Sequence, residues 1–230
     1  MKILAIETAT DSCGVALTEG LQLVAECRIH QKKVHNEKLV SAIEWLLAEA
    51  GWQIENLNGL AVSIGPGSFT GLRIGISVCK GLAFSAGLPL VAVNTLDAMA
   101  HEARFWRGKL CAVIKARAEE VYFATYEKDM NSTTRISDYQ IVDLGSLIRS
   151  TVEGTLMVAS PAELSSAFIN SSVVFPDAGY PVLSALTVAQ LGYQKLVQNE
   201  FVEVESVEPF YLKDFLPKRK VYNHAPVDRN

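Results

Sequence analysis

Three groups of residues in this 230-residue chain are of types that do chemistry. The first is the run Gly65-Pro66-Gly67-Ser68-Phe69-Thr70-Gly71-Leu72-Arg73-Ile74-Gly75. A glycine-proline break ends an apolar strand there, and Ser68 suits a helix N-cap. A helix starting at Ser68 aims unpaired amides and partial positive charge forward, so phosphate is the first ligand to consider. The run lacks the Lys-Ser/Thr ending of a P-loop, and its glycines do not form the G-x-G-x-x-G fingerprint. Gly67, Gly71 and Gly75 recur instead at every fourth residue, a bare strip along one side of the helix. Each interior glycine costs up to ~1 kcal/mol relative to alanine, so another helix or the sheet should lie against that strip. The second group is the turn Glu7-Thr8-Ala9-Thr10-Asp11-Ser12. Glu7 and Asp11 could order a cation, but carboxylates without a basic partner repel phosphate. The third is His35, which opens a helix as a lone histidine and makes a poor metal site.

The elements that must position these groups are legible from the apolar pattern. Residues 2 to 7, 14 to 18 and 21 to 29 read as strands, 33 to 50 as a long helix, and 60 to 64 as a buried strand. The glycine-bearing helix follows over 68 to 84, then a strand from Leu88 to Val93 and a helix from Asn94 to about Phe105. On the helix at 33 to 50, Leu39, Val40, Ile43, Leu46, Leu47 and Ala50 form a core stripe, while Trp45 lies nearly opposite at about 100° per residue. An exposed tryptophan suits a protein interface. Arg73 is expected on the exposed side of its helix with Ser77 and Lys80. Arg104, Arg107 and Lys109 form a basic, solvated joint, and the lobe boundary is placed at residue 106.

The second half opens with a hairpin, Leu110 to Ile114 and Val121 to Tyr126. A strand from Thr133 to Val142 and a helix from Leu144 to Arg149 follow, then a strand from Leu156 to Ala159 and a helix capped by Ser160-Pro161. Val173 to Phe175 reads as a last short strand. Pro176-Asp177-Ala178-Gly179 is a turn before a helix from Pro181 to about Gln198, and residues 215 to 230 read as a loose tail.

Composition bounds the function. With 49% hydrophobic residues the chain is globular. It has no apolar run near the ~20 residues of a membrane span, and the expected location is cytoplasmic. The four cysteines, Cys13, Cys27, Cys79 and Cys111, have no metal spacing and read as reduced core thiols. A net charge of −4 disfavours a protein that grips nucleic acid by itself, since phosphate neutralisation supplies most of such affinity. Only Lys218-Arg219-Lys220 forms a basic run.

The run from Gly65 to Gly75, with Ile6-Glu7-Thr8-Ala9-Thr10 before it, resembles the bacterial TsaB (YeaZ-like) family, densely over residues 1 to 100. Val207-Glu208-Pro209-Phe210-Tyr211-Leu212-Lys213 is similar to that family's ending. The resemblance implies an α/β fold of two actin-like (ASKHA, RNase H-like) lobes with mixed sheets flanked by helices, the second lobe reduced. The expected division is 1–106, 107–214 and the tail.

It also implies a non-catalytic subunit that pairs with TsaD in making threonylcarbamoyladenosine on tRNA. TsaD would transfer the threonylcarbamoyl group to N6 of the adenosine after the anticodon, TsaE would join, and tRNA would be held indirectly. The expected interface is His35, Leu39, Trp45, Gly67, Ser68, Phe69, Thr70, Gly71, Arg73 and Gly75, and it would form a homodimer when the chain is alone. Candidate nucleotide contacts are Glu7, Thr8, Asp11 and Ser68, with ATP or ADP at the cleft of the joint complex and no metal expected. TsaD carries a second histidine where this chain has Leu39, which argues against a metallopeptidase. The family generally shows aspartate at Lys115, before Ala116-Arg117, and Arg117 is expected to pair with Glu119 or Glu120. The rival reading is a nucleotide-binding or ATP-hydrolysing actin-like enzyme, whose phosphate-loop glycines are incomplete here.

Overall fold

In the computed structural model of the chain, the described residues are 1–30, 35–168, 171–176 and 183–210, without the side chains of 35–37 and 162–163. The first sheet is built on β1 (Lys2–Glu7). Ile3 and Ala5 point to one face of it and Leu4 and Ile6 to the other, all four without solvent exposure. A strand apolar on both faces needs cover on both sides. β1 pairs antiparallel with β2 (Ser12–Glu19), which pairs antiparallel with β3 (Gln22–His30). On its other edge β1 runs parallel to β4 (Gly59–Gly65), which runs parallel to β5 (Leu90–Asn94), giving the order β3-β2-β1-β4-β5.

One face of this sheet is covered by α1 (His35–Glu49) and α2 (Phe69–Ala86), through Leu39, Ala42, Ile43 and Leu46 from the first helix and Ile76, Cys79 and Ala83 from the second. The other face is covered by α3 (Thr95–Glu102) and, later in the chain, a helix that returns to this sheet. The second sheet runs from β6 (Gly108–Lys115) to β7 (Glu120–Lys128), both antiparallel. β8 (Thr133–Arg135) and β9 (Gln140–Asp143) each pair with β7. α4 (Leu144–Ser150), β10 (Leu156–Ser160), which is parallel to β6, and a 3₁₀ turn at Ala162–Phe168 complete it. Leu147, Met157, Leu164 and Phe168 fill its outer core. The returning helix is α5 (Ala185–Val197).

A single core unites α3, α5 and the facing sides of both sheets, from Ile3 and Val93 to Ala112, Tyr126 and Val158. Two polar clamps cross it. The Asp97 carboxylate accepts from Tyr126 Oη at 2.9 Å and from Tyr139 Oη at 2.6 Å. Glu102 Oε2 accepts from the Ser184 amide at 3.2 Å and its hydroxyl at 2.8 Å, and from the Thr187 hydroxyl, at the start of α5. Both carboxylates are therefore satisfied where burial would otherwise penalise them.

Several expectations need correction. The strand read over 133 to 142 is two strands, because the chain turns a corner where Ser137 Oγ takes the Thr125 amide at 2.9 Å. The last helix starts at Ala185 rather than Pro181, with Ser184 Oγ accepting from the Thr187 amide at 3.1 Å. α5, placed by sequence in the second lobe, packs on the first sheet, where Gly192 lets Ala61 approach closely. Residues 202–210 also return to the first sheet: the Val202 amide bonds Leu90 O, and Val207 joins its core. Lys80 is not on the outer face with Arg73, since its ammonium donates to the carbonyls of Glu205 at 2.8 Å and Val207 at 3.3 Å. Cys13, Cys79 and Cys111 are buried, whereas Cys27 is only half-buried. Asp177-Ala178-Gly179 and the tail from Tyr211 onward lie outside the described residues.

Candidate interface and interlobe cleft

α1 and α2 lie side by side on the sheet, so whatever points away from their buried stripes shares one outer surface. On α1 that surface holds Trp45, 55% exposed. On α2 it holds Phe69, Thr70 and Arg73, with the Arg73 guanidinium 4.0 Å from the Phe69 ring centroid. Such stacking fixes both side chains before any partner arrives. Phe84, 78% exposed, was missed by sequence reasoning, although it lies eleven residues, about three turns, beyond Arg73 and so on its face. Spacing alone would have found it.

Two sets of expected interface residues face inward. Leu39 is wholly buried in the core under α1. Gly67, Gly71 and Gly75 face the β1–β2 turn, where an added Cβ would clash with the carbonyl oxygens of Ala9 and Thr8 and with the Thr8 hydroxyl. The strip therefore seats α2 on its own sheet. His35 opens α1, and its side chain lies outside the described residues.

The start of α2 also forms one wall of a cleft of about 370 Å³ between the lobes. Ser68 Oγ caps the helix, accepting from the Gly71 amide at 3.2 Å, and the Ser68 amide donates to Ala9 O at 2.7 Å. Thr10, Asp11, Ser68 and Phe69 line the cleft from one lobe, and Lys115, Arg117 and Tyr122 from the other. Helix amides facing two cations make an anion-favouring corner.

Glu7 and Thr8, expected as nucleotide contacts, do not line this cleft; they are 1% and 0% exposed. Glu7 Oε1 instead accepts from the amides of Ala9 at 2.7 Å and Thr10 at 3.2 Å and so shapes the turn. Burial pushes its carboxyl up to about 7, against smaller downward pulls from the Ser63 hydroxyl, those two amides and Arg28. Among the described residues no three His, Cys, Asp or Glu side chains gather as a metal site, and no helix is long and apolar enough to cross a membrane.

The family model described as tRNA N6-adenosine threonylcarbamoyltransferase, TsaD, matches residues 22–214 of the chain. The tRNA threonylcarbamoyladenosine biosynthesis protein TsaB of Escherichia coli (strain K12) is 32% identical over 96% of this chain and 98% of its own. The structure of YeaZ from Pseudomonas aeruginosa matches with a TM-score of 0.77 and 26% identity, over 91% of this chain and all of that one. ROK hexokinase from Thermus thermophilus, 11% identical with a TM-score of 0.50 over 86% of this chain and 100% of that one, shares the fold alone. With a family model matched over most of its length and a relative similar nearly end to end, the chain belongs to the TsaD family, in its TsaB (YeaZ-like) branch.

Proposed function

We propose that this chain is a non-catalytic subunit of threonylcarbamoyladenosine biosynthesis on tRNA, and that it pairs with TsaD through the outer face of α1 and α2. The observation that carries the reading is that face: Trp45 and Phe84 are exposed by more than half, on the same two helices that carry an ordered Phe69–Arg73 stack. Aromatic residues and arginine are the usual anchors of interfaces. Chemistry of the chain's own is disfavoured because the carboxylate at the end of β1 is committed to its turn. Because the same face offered to a second copy closes with two-fold symmetry, the chain alone forms a homodimer. Phe69 lines both this face and the cleft, so a nucleotide held by Ser68, Lys115 and Arg117 would sit at the edge of the joint complex, where TsaE would join.

Light scattering of the chain mixed with TsaD tests the pairing. A one-to-one complex is expected, and Trp45→Ala or Phe69→Glu should weaken it about tenfold or more, as loss of an interface anchor does. If both variants leave the homodimer and the TsaD complex intact, the assignment is wrong. ATP turnover by the purified single chain would overturn the non-catalytic part.

A further inference from the structure

A cavity of about 150 Å³ lies between the second sheet and the end of α4, apart from the interlobe cleft. Its floor comes from the ladder of β6 and β7, where Cys111 stands directly opposite Thr125. Strand residues two apart share a face, so Phe123 stands beside Thr125 on this same side, where it packs against the outer core. Leu147 of α4 closes the cavity over that floor, and Leu147 and Cys111 are 3% and 1% exposed. At the mouth are Ile136 and Val152, each exposed by more than half.

The polar groups of the wall are mostly spent on neighbouring backbone. The hydroxyls of Ser150 and Thr151 both donate to Leu147 O, at 3.1 Å and 2.7 Å. The Ile136 amide donates to Thr125 O at 2.8 Å, and the Thr125 amide donates to Ser137 Oγ at 2.9 Å. The Thr155 amide donates to Val152 O at 3.2 Å, and Thr155 O accepts from the Val174 amide at 3.0 Å. Burial pushes the Cys111 thiol up to about 12, so it stays uncharged. Lys109 is the one charged residue of the lining; it is exposed and stands opposite Glu127 in the ladder, so its charge belongs to the surface. The side chains of Thr125 and Thr155 form no hydrogen bond among the described residues, and their hydroxyls can take one polar tip. A water molecule is held by two to four hydrogen bonds, whereas an apolar cavity of this size takes a molecule such as benzene.

We propose that this cavity is a binding site for a small uncharged molecule, aromatic or branched aliphatic, of about six to eight non-hydrogen atoms and with at most one polar tip. A charged ligand would lie against Leu147 and Phe123 with no buried countercharge, which burial penalises. A nucleotide is too large for it, and the interlobe cleft has more than twice its volume. None of the lining residues is on α1 or α2, so the site stands apart from the pairing face.

Titration of the full chain with benzene, followed by carbon–proton NMR of its methyl groups, tests the site. Saturable shifts are expected at Leu147, Ile136 and Val152, with half-saturation at about 1 mM or tighter for six well-buried atoms. The methyls of Ile43 and Val62, in the core of the first sheet, should stay in place. Ile136→Trp and Val152→Trp each set a large ring across the mouth and should abolish the Leu147 shift. Both positions are exposed, so each variant should keep the parent's thermal midpoint. Benzene that moves none of the three methyls up to its solubility limit would overturn the proposal. So would shifts that persist in both folded variants, since the molecule would then be bound elsewhere.

Discussion

Glu7 shows how far one side chain's role can sit from its sequence appearance. As a carboxylate in the first turn it reads as a ligand, yet it is buried with one oxygen on two turn amides. Its folded value of about 7 lies above the ordinary 4.5, so the native chain holds a proton that the unfolded chain has released. Stability from this group is full below about 4.5, falls as pH rises to about 7, and is level beyond, a loss of at most ~3 kcal/mol. His101 works the other way. Lowered from 6.5 to about 4, it contributes stability above 6.5 that is lost as pH falls toward 4. The two slopes oppose each other where their windows overlap, so neither shows cleanly in the parent. Glu7→Gln keeps an oxygen for the Ala9 and Thr10 amides, and its urea midpoint should gain on the parent's as pH rises from about 5 to about 8. A parallel pH profile for the two proteins would refute the protonated carboxyl. Sequence could place Glu7 at a strand end, but not its burial, which depends on Gly14 of β2 and Ser63 of β4 closing around it.

At the scale of elements, α2 was the most legible and was still misassigned in part. The N-cap at Ser68, the strip at Gly67, Gly71 and Gly75, and the outward Arg73 all follow from spacing within one helix. What the strip faces does not, because Thr8 and Ala9 come from a turn far earlier in the chain. Leu39 was read both as part of the core stripe and, from its place in a family motif, as a partner contact, and its full burial leaves it to the core. Two glycine substitutions separate the seated side of α2 from the open one. Gly71→Ala should destabilise the chain by about 3 kcal/mol or more, since the new methyl meets the Thr8 carbonyl and neither backbone can yield cheaply. Gly81→Ala meets nothing within 4 Å and should stabilise by up to ~1 kcal/mol through helix propensity. Thermal unfolding measures both, and equal effects would mean that the strip is not what seats the helix.

For the whole molecule, the two sheets follow one another along the chain, whereas the helices are not divided in the same order. The second sheet begins at Gly108, yet α5 belongs by packing to the first sheet, where Val188, Ala189 and Leu196 share a core with Ile3, Ala61 and Val91. Sequence could not reveal this, because an apolar helical stripe states that it is buried and not against which sheet. The consequence is testable. A fragment of residues 1–106 leaves one face of a sheet of five strands covered by α3 alone, and loses Val207 from the core beneath α1 and α2. That uncovered face is fully apolar at Ile3, Ala5, Ala61 and Val91. Exposure of this kind yields collapsed chains without fixed packing. The fragment should bind ANS and lack near-ultraviolet dichroism, while joining it through a flexible linker to residues 183–210 should restore a cooperative transition. Cooperative unfolding of 1–106 by itself would show that the first lobe is independent. Failure of the joined protein would instead assign the missing stability to the second sheet, acting through the Asp97 clamp to Tyr126 and Tyr139.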